Sequence, residues 1–194
     1  PKQVVVVPIW QEETKEEVVG YAEEVADDLD AAGVRVHLDD RENRNPGFKY
    51  NEWELKGVPV RIEVGPNEVA DEEVTFVHRP DGESVVEDFE GVGETAHDHL
   101  DTVHAKLYAS AEETLEGEIR EAESREEILG TIGQHGGYVK CGWCGDEECE
   151  DPIKEAIAAE IVMVPLDRDE EPIHDDCAIC GDEAEETAYF AKSY

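Results

Sequence analysis

Residues 39–65 read DDRENRNPGFKYNEWELKGVPVRIEVG, and this stretch contains the clearest local signals for the fold. Asn45 followed by Pro46 is typical of a helix N-cap and the first helical residue, and Gly57 is typical of the helix end. Residues 59–64 then alternate between apolar and polar side chains, which predicts a strand. A short helix that leads directly into a strand is therefore expected.

The residues before this stretch predict a strand, a helix and a second strand. Val4–Val7 is a β-branched run, typical of a strand buried on both faces. An apolar stripe at 18–29 predicts a helix, which begins with a Thr14–Glu17 capping-box pattern and ends at Gly33. Apolar and polar residues alternate again at 34–38, so a parallel pair of strands with a right-handed crossover is the simplest topology.

Positive charge and aromatic rings are concentrated in the same region of a strongly acidic protein. Six of the sixteen Lys and Arg residues lie at positions 35–61, among Phe48, Tyr50 and Trp53. Single-stranded nucleic acid binds such a combination, because cations contact phosphates and bases stack on rings. The region also follows the carboxyl end of a predicted strand, where open α/β sheets bind ligands. It is therefore the candidate functional face; the alternative is an ordinary helix and strand whose cations pair with local acids.

The chain carries 52 Asp and Glu against 16 Lys and Arg, a formal net charge of -36. The acids are spread through every segment, including those with apolar periodicity, which argues against a disordered acidic tail. Charge repulsion of this size disfavours a compact state, but at about 1 M salt the screening length falls to roughly 3 Å. The composition is therefore typical of a halophilic protein. Binding of a basic partner is the weaker explanation of the acidity, because the acids are not confined to one face.

The rest of the chain predicts further strands and a long helix. Strands are expected at 74–78 and around 85–86, followed by a helix from about Glu94. Two apolar runs, at 161–164 and 188–191, predict strands in the final third. The expected division is a first domain at 1–105, a helical connection at 106–135 and a second domain at 136–194.

Five cysteines lie in the last third of the chain, where an odd number argues for a metal site and against a disulfide framework. Two close pairs far apart in sequence predict a structural zinc site, with free thiols as the alternative. Spacing alone selects Cys141, Cys144, Cys177 and Cys180. In this choice Cys149 is not a ligand, and His174 is an alternative ligand to one of the cysteines. Four thiolates leave no position for water, which argues against a metal-dependent hydrolase.

The sequence contains no run of about 18 apolar residues and no charged-then-apolar leader, so neither a membrane span nor a signal peptide is expected. Residue 1 is Pro, and a predicted strand begins almost at once. A fragment of a longer protein is therefore expected, with a cytoplasmic location.

Three stretches resemble the carboxyl-terminal part of prolyl-tRNA synthetase of the archaeal and eukaryotic type. They are DDRENRNPGFKYNEWELKGVPVRIEVGP at 39–66, WCGDEECE at 143–150 and YFAKSY at 189–194. The first is similar to the class IIa anticodon-binding domain, which implies an α/β fold with a mixed five-stranded sheet. The other two are similar to the small α+β zinc-binding domain that ends this type of enzyme.

The resemblance implies a definite set of residues in this second domain. The zinc ligands it implies are Cys144, Cys149, Cys177 and Cys180. Cys141 falls outside that pattern, in conflict with the choice made from spacing. Tyr194 corresponds to the terminal tyrosine of the family, whose carboxylate is directed toward the catalytic domain.

The resemblance of the first stretch implies that the chain recognises the anticodon of proline tRNA, whose last two bases are guanines. Arg and Lys can donate to guanine O6 and N7, and Asp or Glu can accept from its N1 and N2 hydrogens. The hypothesised base contacts are Asp40, Arg41, Lys49, Glu54 and Arg61. Phe48 or Trp53 is the stacking candidate, and the alternative for Trp53 is a ring buried under the sheet. In multimolar salt counterion release contributes little, so base contacts and stacking are expected to dominate.

The resemblance implies that the intact protein is a proline-tRNA ligase, which uses ATP in a class II catalytic domain and dimerises through that domain. The present residues do not include such a domain, so they are expected to bind tRNA without attaching proline to it. The alternative is a stand-alone zinc-containing module, in which the anticodon-like domain acts as an accessory subunit.

Overall fold

The computed structural model describes residues 1–166 and 171–192, which fold into two compact units. The first unit is Pro1–Ser110 and the second is Ala111–Tyr194. Each unit has its own sheet and its own apolar core. In the described residues, no helix combines the length and the apolar character needed to cross a membrane.

The first unit is built on one mixed five-stranded sheet. Its elements are β1 (Val4–Pro8), α1 (Lys15–Ala31), β2 (Val36–Leu38), α2 (Pro46–Leu55), β3 (Val60–Val64), α3 (Pro66–Asp71), β4 (Glu73–His78), β5 (Ser84–Asp88) and most of α4 (Val92–Gly117). The strand order is β2-β1-β3-β4-β5, with β2, β1 and β3 parallel and the last two strands antiparallel. The predicted α/β fold with a mixed five-stranded sheet is confirmed.

Helix α1 follows the apolar stripe read from the sequence, and it ends where Gly33 takes a φ of 83°. The predicted capping box at its start is wrong. The Thr14 side chain makes no hydrogen bond to the helix, because its backbone is already in the helical region and its hydroxyl accepts from the Gln11 N–H at 3.1 Å. The apolar stripe is therefore sufficient to define α1, since its inward side chains are all fully buried.

Helix α2 begins as the sequence predicts. The extended Asn45 accepts the Phe48 N–H at 2.8 Å, and Pro46 is the first helical residue. This helix packs over the face of the sheet that carries Val5 and Val7 of β1, while α1 packs on the opposite face. On the α2 side, the far edge of the sheet is only partly covered, so that Val86 of β5 is 55% exposed. A partly open sheet face is therefore present beside α2.

In its described residues, the second unit contains a four-stranded sheet and two helices. Its elements after α4 are β6 (Ile119–Glu121), α5 (Arg125–His135), β7 (Tyr138–Trp143), a 3-10 turn (Glu147–Cys149), α6 (Asp151–Ile157), β8 (Ala159–Met163) and β9 (Glu186–Lys192). The strand order is β6-β7-β9-β8. The segment 106–135, predicted as a helical connection, contains the end of α4 together with β6 and α5. Strand β6 and helix α5 both pack within the second unit.

Candidate nucleic-acid interface and cysteine centre

Asp39 is the residue on which the surface around α2 is organised. It lies immediately after β2, is 0% exposed, and accepts Nε and Nη2 of Arg41 on its two oxygens, each at 2.7 Å. The indole Nε1 of Trp53 donates to the same carboxylate at 2.7 Å. The Lys49 ammonium donates to the Asp39 main-chain oxygen at 2.8 Å. One buried acid therefore holds the loop after β2 and two successive turns of α2 together.

The electrostatics of this cluster follow from its burial. Burial alone would raise the pKa of Asp39, but the hydrogen bonds from Arg41 and Trp53 outweigh it and lower the pKa to about 2. Burial lowers the pKa of Lys49, whose side chain is 1% exposed and lies 5.0 Å from the Trp10 ring. The Lys49 ammonium thus faces the interior, so it binds a main-chain oxygen and not solvent. Sequence reasoning chose the neighbouring Asp40, which is exposed, because no local pattern distinguishes two adjacent acids.

Arg61 of β3 lies at the centre of a second cluster, in the gap between α2 and the open half of the sheet. Its guanidinium pairs with Glu54 at 3.1 Å and with Glu63 at 2.9 Å, and it lies 3.9 Å over the Tyr50 ring. The side chain of Arg61 is only 14% exposed. A narrow cleft with room for about one water molecule opens here, lined by Val5, Tyr50, Trp53, Glu54, Val58, Arg61, Val77 and Arg79. The cleft presents a carboxylate and a guanidinium side by side.

The two aromatic residues singled out from the sequence differ in their surroundings. Phe48 is 45% exposed, and the Arg44 guanidinium lies 4.5 Å above its ring. The ring of Trp53 packs against the cluster of Val5, Val7 and Val58, and its N–H is already bound. Phe48 is therefore accessible for stacking, whereas Trp53 mainly joins α2 to the sheet.

The structure distributes the seven predicted contact residues over three environments. Arg41, Lys49 and Trp53 meet at Asp39, Glu54 and Arg61 meet at the cleft, and Asp40 and Phe48 lie on the exposed surface. Arg41 also pairs with Glu52 at 2.6 Å. Several cations of the stretch are thus neutralised internally, as the alternative interpretation expected, and the cleft is the place where polar groups converge beside an open surface.

Four cysteines converge in the second unit, namely Cys144, Cys149, Cys177 and Cys180. Their Sγ atoms all lie within 4.8 Å of one another. Sγ of Cys144 is 3.6 Å from that of Cys149 and 3.7 Å from that of Cys180. A tetrahedral zinc ion with bonds of about 2.3 Å to sulfur requires sulfur atoms roughly 3.8 Å apart. The cluster could hold a metal ion, and its dimensions and its thiol donors fit zinc.

Gly142 of β7 fixes the approach of the two cysteine-bearing segments. Its main-chain oxygen accepts the Ala178 N–H at 3.1 Å, next to Cys177. A Cβ atom at Gly142 would lie 2.5 Å from the main-chain oxygen of Asp176. Only glycine therefore allows the loop to pack this closely on β7, which brings Cys177 to the cysteines that follow β7.

The remaining cysteine occupies a different environment. Cys141 is 0% exposed within the apolar core of the second unit, and burial raises the pKa of its thiol to about 12. Burial would also raise the pKa of Cys177, but main-chain N–H groups at its sulfur, including those of Cys180 and Ile179, lower it to about 7. The set chosen from spacing, which included Cys141, is thus not brought together. His174 is not part of the cluster, and Tyr194 lies outside the described residues.

Comparison with known proteins identifies the two parts of the chain. A family model described as "Anticodon binding domain" matches residues 3–98, and one described as "Prolyl-tRNA synthetase, C-terminal" matches residues 125–194. Proteins named proline-tRNA ligase are similar over the whole chain: 78% identical in Haloarcula marismortui, 70% in Halorubrum lacusprofundi and 38% in Thermococcus kodakarensis. The chain spans 40% of the length of each of these relatives. The chain therefore belongs to the prolyl-tRNA synthetase family, of which it comprises an anticodon-binding domain and the C-terminal domain.

Proposed function

We propose that this chain recognises the anticodon of proline tRNA at the mouth of the cleft between α2 and the open sheet. In the intact protein, this recognition would serve the attachment of proline to its tRNA with the use of ATP. The observation that carries the proposal is the Glu54–Arg61 pair beside Tyr50, within a domain that matches the anticodon-binding family. The name shared by the relatives supports the choice of proline tRNA.

The chemistry of the pair suits guanine. A carboxylate accepts from the N1 and N2 hydrogens of guanine, and a guanidinium donates to O6 and N7. Arg61 is bound by Glu63 as well as by Glu54. Glu54 can therefore turn toward a base without leaving the Arg61 guanidinium unpaired, which limits the cost of desolvation.

The other predicted residues divide into contact and positioning roles under this proposal. Asp40 and Phe48 are exposed and remain contact candidates, with the Phe48 ring as the stacking surface. Arg41, Lys49 and Trp53 are held at Asp39, so we assign them to fixing the orientation of α2. In multimolar salt, a phosphate contact gains little from counterion release. Base contacts are therefore expected to supply most of the affinity.

Glu54→Gln is expected to weaken binding of the proline anticodon stem-loop by about tenfold and to reduce its preference for guanine over adenine. The amide of glutamine has one acceptor oxygen and adds donors opposite the donors of guanine, so the base loses its matched partner. The measurement is the fluorescence anisotropy of labelled stem-loops in multimolar KCl, with guanine or adenine at the last two anticodon positions.

Glu42→Gln is the matched control for this variant. Glu42 is an exposed acid that pairs with Lys15 at 2.6 Å, outside the cleft, so the change in charge is the same. Its affinity should equal that of the wild type. Equal affinities of the Glu54 and Glu42 variants, or a wild type that does not distinguish guanine from adenine, would exclude the proposed recognition in this cleft.

We further infer that the four-cysteine cluster holds a structural zinc ion. The ion would join the segment after β7 to the loop before β9 and so replace part of the apolar core that a small domain lacks. Four thiolate ligands fill the tetrahedral coordination, so the role of the site is structural. The support for this inference is the spacing of the sulfur atoms and the match to the C-terminal family model.

A further inference from the structure

We propose that Arg79 is a further RNA-binding residue, whose guanidinium binds a phosphate group of the strand bound at the mouth of the cleft. This inference rests on the proposed anticodon recognition. Arg79 follows β4 and is exposed, and it lines the cleft together with Glu54 and Arg61. It comes two residues after Val77, which pairs with Arg61 across the sheet, so it lies on the same face as Arg61.

Arg79 differs from the other cations near the cleft because its side chain is free. In residues 1–166 and 171–192, its guanidinium makes no hydrogen bond, ion pair or ring contact. Arg41 and Arg61 each pair with two carboxylates, and Lys56 pairs with Glu52. The position of Arg79 is nevertheless fixed, because its main-chain N–H donates to the Pro59 oxygen at 3.0 Å. Arg79 is thus a cation with a fixed main chain and no side-chain partner among the described residues.

In a chain with 52 acids, an arginine that pairs with none of the described carboxylates is unexpected. The nearest acids along the chain are Asp81 and Glu83 in the turn between β4 and β5. Both are bound by the Lys106 ammonium of α4, at 2.6 and 2.5 Å, and the same ammonium lies 3.3 Å from Nδ1 of His78. Lys106 thus neutralises both of these carboxylates.

A phosphate is the ligand that this arrangement favours. Bases that reach Glu54 and Arg61 bring their sugar-phosphate chain to the rim of the cleft, where Arg79 lies. A guanidinium binds phosphate through two parallel N–H donors. Arg61 would have to give up a carboxylate to make that contact, whereas Arg79 would not. Arg79 therefore offers the least costly phosphate contact in the cleft.

The test compares Arg79→Ala, Arg79→Lys and the control Arg35→Ala. Arg35 is exposed, its Nε donates to the Pro1 oxygen, and it lies just before β2, which β1 and β3 separate from β4. Both alanine variants remove one positive charge. The probes are the proline anticodon stem-loop and the same loop with adenine in place of its last two anticodon bases, and affinities are measured over a range of KCl concentrations. Thermal unfolding confirms that each variant is folded.

We expect Arg79→Ala to weaken binding of both loops by the same factor, about tenfold, because a phosphate contact carries no base information. The slope of the logarithm of affinity against the logarithm of salt concentration should fall by about 0.7. Arg79→Lys should retain most of the affinity, because an ammonium also binds phosphate. Arg35→Ala should remain within about twofold of the wild type, because a single distant charge is screened.

Two results would overturn the assignment. Equal losses of affinity in Arg79→Ala and Arg35→Ala would mean that the effect comes from overall charge. A loss of affinity confined to the guanine loop would mean that Arg79 contacts a base. A wild type that binds both loops equally would overturn the proposed anticodon recognition. The Arg79 comparison would still be valid in that case, because it can be read from the binding of either loop.

Discussion

Cys149→Ala is expected to abolish zinc binding and to unfold the second unit, with the largest effect of any single substitution considered. Only three thiolates remain in this variant, and Cys149 is a buried member of the cluster that joins the two loops. A structural zinc site supplies on the order of 10 kcal/mol to folding at neutral pH. The measurements are zinc content under reducing conditions and limited proteolysis in multimolar KCl. Cleavage should be confined to the unit that begins at Ala111.

Cys141→Ala is the matched control, since it removes a thiol from the same domain. Cys141 lies in the apolar core and not in the cluster, so this variant should keep one zinc per chain and lose on the order of 1 kcal/mol of stability. The reverse pattern, with zinc lost from Cys141→Ala and kept in Cys149→Ala, would restore the ligand set that spacing alone selects. Zinc kept in both variants would exclude the four-cysteine assignment.

Asp39→Asn is expected to destabilise the first unit by about 3 kcal/mol. The amide has one acceptor oxygen and an NH₂ group, which would face the donors of Arg41 or of Trp53. Removing one partner of a buried ion pair leaves the other partner uncompensated. The measurement is urea unfolding at a fixed KCl concentration, monitored through the fluorescence of the tryptophans in this unit.

Glu52→Gln provides the control for this substitution. Glu52 also pairs with Arg41, but it is half-buried and its second partner, Lys56, is exposed. Partly exposed pairs contribute about 1 kcal/mol or less. Similar losses in the two variants would mean that Asp39 is an ordinary surface-type ion-pair partner and does not organise α2.

The pH dependence of stability gives a separate test of Asp39. Its pKa is lowered from 3.8 to about 2 in the folded chain, so the folded state favours the ionised form. The resulting stabilisation is fully present above about pH 4, near the unfolded pKa, and is lost as the pH falls through 2. The stability difference between the wild type and Asp39→Asn should therefore narrow by about 2 kcal/mol between pH 5 and pH 2. A constant difference over this range would contradict the lowered pKa.

The elements that the sequence predicted well are those specified by local signals. The cap at Asn45, the apolar stripe of α1 and the alternation of β3 each involve residues a few positions apart, so each can be read without knowledge of the fold. The capping box at Thr14 was wrong because a cap depends on backbone angles as well as on residue type. Local patterns therefore predict which segments are helices and strands better than they predict individual hydrogen bonds.

The contacts of the candidate sites required the tertiary structure. Asp39 and Asp40 are neighbours of the same residue type, and only the packing of α2 on the sheet decides that Asp39 is the buried one. Arg79 reaches the cleft of Arg61 because β3 and β4 are antiparallel partners. Neither relationship has a periodic signal, because strand pairing joins residues at separations that the local sequence does not encode.

The sequence by itself determined the five strands and most helices of the first unit, the acidic composition suited to high salt, and a group of cysteines from which spacing and family resemblance selected different ligand sets. The tertiary structure decided which side chains share a carboxylate, that Lys49 is buried, that Arg79 pairs with none of the described acids, and that Cys149 rather than Cys141 lies in the cluster. The physical reason is that composition and periodicity act along the chain. Burial and ion pairing depend on distances through space, which exist only once the sheets and their loops are assembled.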